Sequence, residues 1–197
     1  MNDMLLTANE RKVLRMLATS AHTEWSINGV ARQCGVSAGG AYKILKKLEQ
    51  EGIVGAKLIA NIKAYKLQFT TKARRVLELA MIPDALEGRV RMRADDLDAL
   101  REHSIACIIF GSYARDKKQP RDIDVLVIVD RDGYPQYRRT LRSVQERTPL
   151  KIHDVVQTPD DLLENLRTQD PVVIAAVRQG IVLWGADTIV EVLARDA

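Results

Sequence analysis

Two short stretches, GSYAR at residues 111–115 and DIDVLVIV at residues 122–129, decide how the second half of this chain folds. The first follows the apolar run 105–110, which predicts a buried strand that ends in a glycine turn. The second is apolar apart from Asp122 and Asp124, and side chains two residues apart on a strand share one face. Two carboxylates held together on a buried strand repel each other and are costly to desolvate. A divalent cation, Mg²⁺ or Mn²⁺, would relieve that cost because both ions accept oxygen ligands.

The glycine turn has the composition of a phosphate site. Gly111 allows the backbone to approach a ligand closely, and Ser112 offers both a hydroxyl and an amide. A helix that begins near Ser112 would direct its free amides at an anion. Arg115 adds a cation one turn later, which either contacts phosphate or pairs with Asp116.

A third acidic residue, Asp154, lies in the apolar segment 151–156, which predicts a further strand. If that strand lies beside the one that carries Asp122 and Asp124, Asp154 would complete a three-carboxylate cluster able to hold two metal ions. His153 alternates to the opposite face from Asp154, so we interpret it as a packing residue rather than a base.

The run from Phe110 to Ser112, nine intervening residues and the stretch from Asp122 to Val125 resemble the signature of the nucleotidyltransferase superfamily of DNA polymerase β. GSYAR is similar to the form typical of its small minimal nucleotidyltransferase branch. One departure is Arg121, where that branch often has Ser before its first Asp. The resemblance implies an α/β fold with a small mixed sheet. It also implies the site residues: catalytic metal ligands Asp122, Asp124 and Asp154, and nucleotide-binding residues Gly111, Ser112 and Arg115.

The reaction that this resemblance implies is attack by a hydroxyl on the α-phosphate of a nucleoside triphosphate, with ATP as the expected donor and Mg²⁺ or Mn²⁺ as the cofactor. The acceptor stays open between a protein and a nucleic acid. Two other readings stay open as well. One is a transcriptional regulator whose nucleotidyltransferase fold senses a nucleotide without turning it over, and the other is an autoregulating antitoxin with a separate toxin partner.

The first half of the chain has a different pattern. Thr7 and Glu10 have the spacing of a helix capping box, a second helix fits residues 26–33, and Gly35 suits a tight turn between helices. A third helix fits residues 37–51 and precedes a basic hairpin that turns near Ala60 and Asn61. The order resembles the winged helix-turn-helix of MarR-like regulators, which implies a helix for the DNA major groove. The expected DNA contacts are Ser37, Tyr42, Lys43, Lys46, Lys47 and Lys63.

Charge separates the two halves. Residues 1–80 contain 13 Lys and Arg and six Asp and Glu, which gives a net charge of +7. Since the whole chain has a net charge of +4, residues 81–197 have a net charge of −3. A basic front half suits a polyanion. The alternatives are solvated surface charge, or a winged helix that serves as a protein-interaction module.

We therefore expect two domains, an α+β winged helix-turn-helix at 1–82 and an α/β nucleotidyltransferase domain at 83–197. No apolar run approaches the roughly 20 residues that span a bilayer, and the N-terminus lacks a secretory signal, so a cytoplasmic protein without membrane contact is expected. Cys34 and Cys107 have no metal or redox spacing and are expected to be reduced. A homodimer through the apolar positions Val76, Leu77 and Leu79 is an alternative to packing of these residues within the chain.

Overall fold

The computed structural model describes residues 6–114 and 120–197. The chain divides into two compact units, Met1–Met81 with Leu193–Ala197, and Ile82–Val192. Within the described ranges, no helix is long and apolar enough to cross a membrane.

The first unit alternates short helices with a small antiparallel sheet. Its elements are α1 (Ala8–Ala18), β1 (Trp25–Ser26), α2 (Ile27–Cys34), α3 (Ala38–Gln50), β2 (Val54–Ile59), β3 (Ile62–Leu67) and α4 (Thr71–Met81).

Side-chain caps fix where these helices begin. Thr7 and Glu10 form the predicted capping box, in which the Glu10 amide donates to Thr7 Oγ1 (3.2 Å) and the Thr7 amide donates to Glu10 Oε2 (2.8 Å). Ser37 caps α3 by accepting from the Gly40 amide at 3.1 Å. Gly35 ends α2 in the left-handed conformation (φ 64°), which permits the tight turn into α3.

The sheet of the first unit has the strand order β1-β3-β2, and both pairings are antiparallel. The β2–β3 hairpin turns at Ala60 and Asn61, which both have positive φ, as a tight hairpin turn requires. Three helices followed by this hairpin form a winged-helix fold, so the predicted fold class is confirmed for this unit. Strand β1 is an addition, since two residues leave no periodic pattern in the sequence.

The second unit is built on a four-stranded sheet. Its elements are α5 (Gly88–Leu97), a 3-10 helix (Asp98–His103), β4 (Ala106–Phe110), α6 (Gly111–Ala114), β5 (Asp122–Ile128), α7 (Tyr134–Arg147), β6 (Lys151–Gln157), α8 (Pro159–Arg167), α9 (Pro171–Gln179), β7 (Ile181–Trp184) and most of α10 (Ala186–Arg195). The last residues of α10, from Leu193 onward, are counted with the first unit.

The strand order of this sheet is β6-β5-β4-β7, with β5 parallel to β6 and the other two pairings antiparallel. The small mixed sheet is therefore confirmed. One face of it forms a hydrophobic core in which Ile123 and Val125 of β5 pack with Tyr137 and Leu141 of α7. The alternate residues of β5, namely Asp122, Asp124, Leu126 and Ile128, point to the opposite face of the sheet.

Candidate metal centre and nucleic-acid face

Asp122 and Asp124 occupy the first and third positions of β5. Both side chains are partly exposed, and they share the face of the sheet opposite the core that packs on α7. Strand β5 is an inner strand held by β4 and β6, so the backbone that carries the two carboxylates is fixed on both sides.

His153 is the third side chain at this position. It pairs with Asp124 in the parallel β5–β6 register, and facing residues of paired strands point the same way. His153 Nδ1 lies 3.5 Å from Asp122 Oδ2 and 3.8 Å from Asp124 Oδ1. In the part of the chain that the structure describes, these three residues are the one group whose ligand atoms all lie within 4.8 Å of one another. Our interpretation of His153 as a packing residue is not supported by this position.

Asp154 lies on the other face. In the β5–β6 register it pairs with Val125, a core residue, so its side chain points toward α7. Its Oδ2 accepts from Arg138 Nη1 at 2.9 Å and from the Tyr137 hydroxyl at 3.2 Å. Burial, and then the negative charge of Asp154, raise the pKa of Tyr137, so its hydroxyl stays a donor. The structure therefore does not bring Asp154 to Asp122 and Asp124, because a one-residue offset on a strand reverses the face.

The turn after β4 is adapted to Asp124. Gly111 has φ +69°, and a Cβ at this position would overlap the Asp124 carboxylate. Glycine is thus required both by the backbone conformation and by the close approach of the carboxylate. The predicted helix start also lies here, since α6 begins at Gly111.

Ser112 follows in α6, and its Oγ is buried with no hydrogen-bond partner among the described residues. A buried hydroxyl that makes no hydrogen bond destabilises the folded state. A hydrogen bond to a bound ligand would remove that cost for the Ser112 hydroxyl. Arg115, the remaining predicted nucleotide contact, lies outside the described residues.

The donor set at this position fits a divalent cation. Two carboxylates and an imidazole nitrogen within 4.8 Å of one another can converge on a single ion, since ligand atoms about 2.1 Å from a shared ion lie about 3 to 4 Å apart. The partly exposed carboxylates leave room for water and phosphate oxygens as further ligands.

The predicted DNA contacts of the first unit fall into two groups. Tyr42 is 46% exposed on α3, and the Lys46 ammonium lies 5.9 Å from the centre of its ring. Lys43, on the same helix, is exposed. For Lys43 and Lys46, no carboxylate within ion-pair distance is found in the described ranges, which leaves both available to phosphate.

The remaining lysines have carboxylate partners. Lys47 Nζ lies 2.7 Å from Glu10 Oε1, and Lys63 Nζ lies 2.7 Å from Glu49 Oε2. The hydroxyl of Ser37 is engaged in the α3 cap. The basic surface that the sequence predicts is therefore smaller than its lysine count suggests.

Comparisons with known proteins agree with the architecture of the second unit. Residues 98–189 match the family model described as Polymerase beta, Nucleotidyltransferase. This part of the chain is a polymerase β-type nucleotidyltransferase domain with an Asp122/Asp124 carboxylate pair. Members of this family use a divalent metal with a nucleoside triphosphate, so an NTP substrate is implied.

Two solved structures align with low scores. One is a C30AH42A mutant of ZitR from Lactococcus lactis, with 16% identity, TM-score 0.33, and coverage of 74% of this chain and 77% of that chain. The other is human N-acetylserotonin methyltransferase in complex with SAM, with 15% identity, TM-score 0.30, and coverage of 85% of this chain and 40% of that chain. No curated protein sequence matches the chain. The winged-helix assignment rests on the order of the chain's own elements.

Proposed function

We propose that the second unit is a metal-dependent nucleotidyltransferase that transfers a nucleoside monophosphate, with AMP from ATP as the first candidate, to a hydroxyl group of a protein or a nucleic acid. One observation carries the proposal. Asp122 and Asp124 share a face of β5, and a Cβ on Gly111 would overlap the Asp124 carboxylate. The Ser112 hydroxyl beside them is buried and has no hydrogen-bond partner among the described residues.

Each residue has a role that its position supports. Asp122 and Asp124 would hold Mg²⁺ or Mn²⁺, which supplies neutralisation of negative charge on phosphate oxygens. Ser112 would donate its hydroxyl to a phosphate oxygen, and Gly111 would allow the backbone to lie close to it. In the reaction, an acceptor oxygen forms a bond to the α-phosphorus while the bond to the β-phosphate oxygen breaks. Pyrophosphate then leaves, and the acceptor proton passes to solvent.

The test is transfer of label from α-³²P-ATP by the full-length protein, with Mg²⁺ or Mn²⁺, to the protein itself, to added RNA or DNA, or to protein acceptors in an extract. Pyrophosphate release is measured in parallel. The double variant Asp122→Asn/Asp124→Asn should lose at least about 100-fold in rate, because each carboxylate contributes to the charge that holds the ion. Asp132→Asn is the matched control, since Asp132 is an exposed turn residue. Equal labelling by the double variant and the wild type would refute the assignment.

The position of Asp154 favours a second candidate. Since Arg138 and Tyr137 hold its carboxylate on the other face, the described site has two carboxylates rather than the predicted three. A site with fewer acidic ligands suits a regulator that binds a nucleotide without turnover. ATP binding by the wild type without pyrophosphate release, with any of the acceptors above, would favour this candidate.

We further propose that the first unit binds duplex DNA through α3. Tyr42, Lys43 and Lys46 support this because they are exposed on one helix that follows a glycine-containing turn. Lysines on such a helix can neutralise backbone phosphates, which makes the affinity dependent on salt. If the full-length protein shows no salt-dependent binding to duplex DNA, the unit is better explained as a protein-interaction module.

A further inference from the structure

We propose that His153 is the third ligand of the metal centre, and that its nitrogen makes the centre bind Mn²⁺ more tightly than Mg²⁺. This inference rests on the proposed function, since it concerns the same site. It differs from the expectation drawn from the family resemblance, in which a third carboxylate, Asp154, completes the site.

Position is the first argument. His153 Nδ1 lies 3.5 Å from one carboxylate and 3.8 Å from the other, which is longer than a strong hydrogen bond and close to the separation of two ligands on one ion. The parallel register of β5 and β6 holds His153 level with Asp124, so the imidazole and the carboxylates are supported by neighbouring, hydrogen-bonded strands. A site on two paired strands needs little rearrangement to bind an ion.

The competing carboxylate has another role in the fold. Asp154 is 15% exposed and accepts from both Arg138 and Tyr137 on the face opposite the metal centre. To reach the centre, its side chain would have to leave both donors and cross to the other side of β6. The His153 side chain needs no such change. It is 46% exposed, so an ion from solvent can reach it.

The donor set then determines which ion is preferred. Mg²⁺ is a hard ion that prefers oxygen ligands and keeps much of its water. An imidazole nitrogen is a softer donor and favours first-row transition-metal ions. Two oxygens and one nitrogen therefore suit Mn²⁺, which also accepts carboxylate and phosphate oxygens, better than they suit Mg²⁺.

The experiment measures metal binding directly, without turnover. The full-length protein is titrated with Mn²⁺ while the signal of the free ion is followed by electron paramagnetic resonance, and Mg²⁺ is then added as a competitor. Titrations are run with and without a non-hydrolysable ATP analogue. Pulsed measurements on bound Mn²⁺ without nucleotide detect coupling to a directly bound nitrogen.

We expect the wild type to bind Mn²⁺ at least about tenfold more tightly than Mg²⁺ and to show the nitrogen coupling. His153→Gln should weaken Mn²⁺ binding by about tenfold or more, remove the coupling and change Mg²⁺ binding little. His153→Asp should restore metal binding without nitrogen coupling and move the preference toward Mg²⁺, which a merely structural role for His153 would not do.

Asp154→Asn is the matched control, since it preserves hydrogen bonding to Arg138 and Tyr137. It should keep the nitrogen coupling and Mn²⁺ affinity within about twofold. The inference is wrong if His153→Gln retains wild-type affinity and coupling, or if Asp154→Asn loses Mn²⁺ while His153→Gln does not. Retention of Mn²⁺ binding by Asp122→Asn/Asp124→Asn would instead refute the proposed metal site. A wild type that binds no Mn²⁺ in either titration would refute both.

Discussion

Three ion-paired carboxylates of the first unit and the two carboxylates at the start of β5 in the second unit are placed differently. In the first unit, Glu10, Glu24 and Glu49 each meet a lysine, namely Lys47, Lys57 and Lys63. In the second, Asp122 and Asp124 meet each other and an imidazole at the start of β5. The first arrangement uses opposite charges to support a fold. The second concentrates negative charge at one place, which is the arrangement expected where a cation is to be bound.

The largest loss of activity and stability is expected from a substitution that adds atoms next to the Asp124 carboxylate in the second unit. Gly111→Ala places a methyl group against the Asp124 carboxylate and forces alanine into a left-handed conformation, which alone costs about 1–2 kcal/mol. We expect nucleotidyl transfer and metal binding to be lost, and the second unit to be destabilised by more than about 2 kcal/mol.

Denaturation of this variant is best followed in a Trp25→Phe background, so that Trp184 of the second unit is the reporting tryptophan. Gly133→Ala is the control within the same unit, because Gly133 has φ −78° and a Cβ there would make only ordinary van der Waals contacts. If Gly111→Ala is as stable and active as Gly133→Ala, the close fit of the turn to Asp124 is not required for function.

The sequence predicts the features that depend on neighbours in the chain. The spacing of Asp122 and Asp124, the glycine turn at Gly111 and the capping box at Thr7 are local patterns, and the structure contains each of them. For the same reason the first three helices and the hairpin of the first unit could be predicted, whereas the two-residue strand β1 could not.

The features that the sequence does not predict depend on how distant elements align. Whether Asp154 or His153 faces Asp124 is decided by the register between β5 and β6, and a shift of one residue exchanges the two. Likewise, the position of Lys47 on α3 predicts that it faces DNA. Its partner Glu10 is 37 residues away, and only the packing of the first unit brings them together.

Lysines that have no carboxylate partner are expected to contribute more to DNA binding than lysines that have one. Lys43→Ala/Lys46→Ala should weaken binding to duplex DNA by about tenfold and reduce the slope of log affinity against log salt by about 2, since each lysine would neutralise one phosphate. Lys57→Ala/Lys63→Ala also removes two positive charges, but these two lysines already pair with Glu24 and Glu49. A smaller change in the slope of log affinity against log salt is therefore expected. Fluorescence anisotropy over a range of salt concentrations measures both. Equal changes in slope for the two double variants would contradict the distinction between paired and available lysines.

The smallest effect concerns the charge pair that supports the first unit. Burial disfavours the Glu10 carboxylate, but hydrogen bonds from Lys47 and Thr7 outweigh it and lower the pKa of Glu10 below its usual value. A carboxyl whose pKa is lower in the folded state stabilises the fold above its unfolded-state pKa, and this contribution is lost as pH falls through the folded-state pKa. Glu10→Gln should therefore cost about 1 kcal/mol at pH 7 and little once the pH has fallen below the folded-state pKa of Glu10. Urea denaturation in a Trp184→Phe background, in which Trp25 reports on the first unit, measures this difference as a function of pH. A loss that is the same at pH 7 and in acid would mean that Glu10 stabilises the unit through packing and capping rather than through its charge, and the contrast with Asp122 and Asp124 would no longer be one of electrostatics.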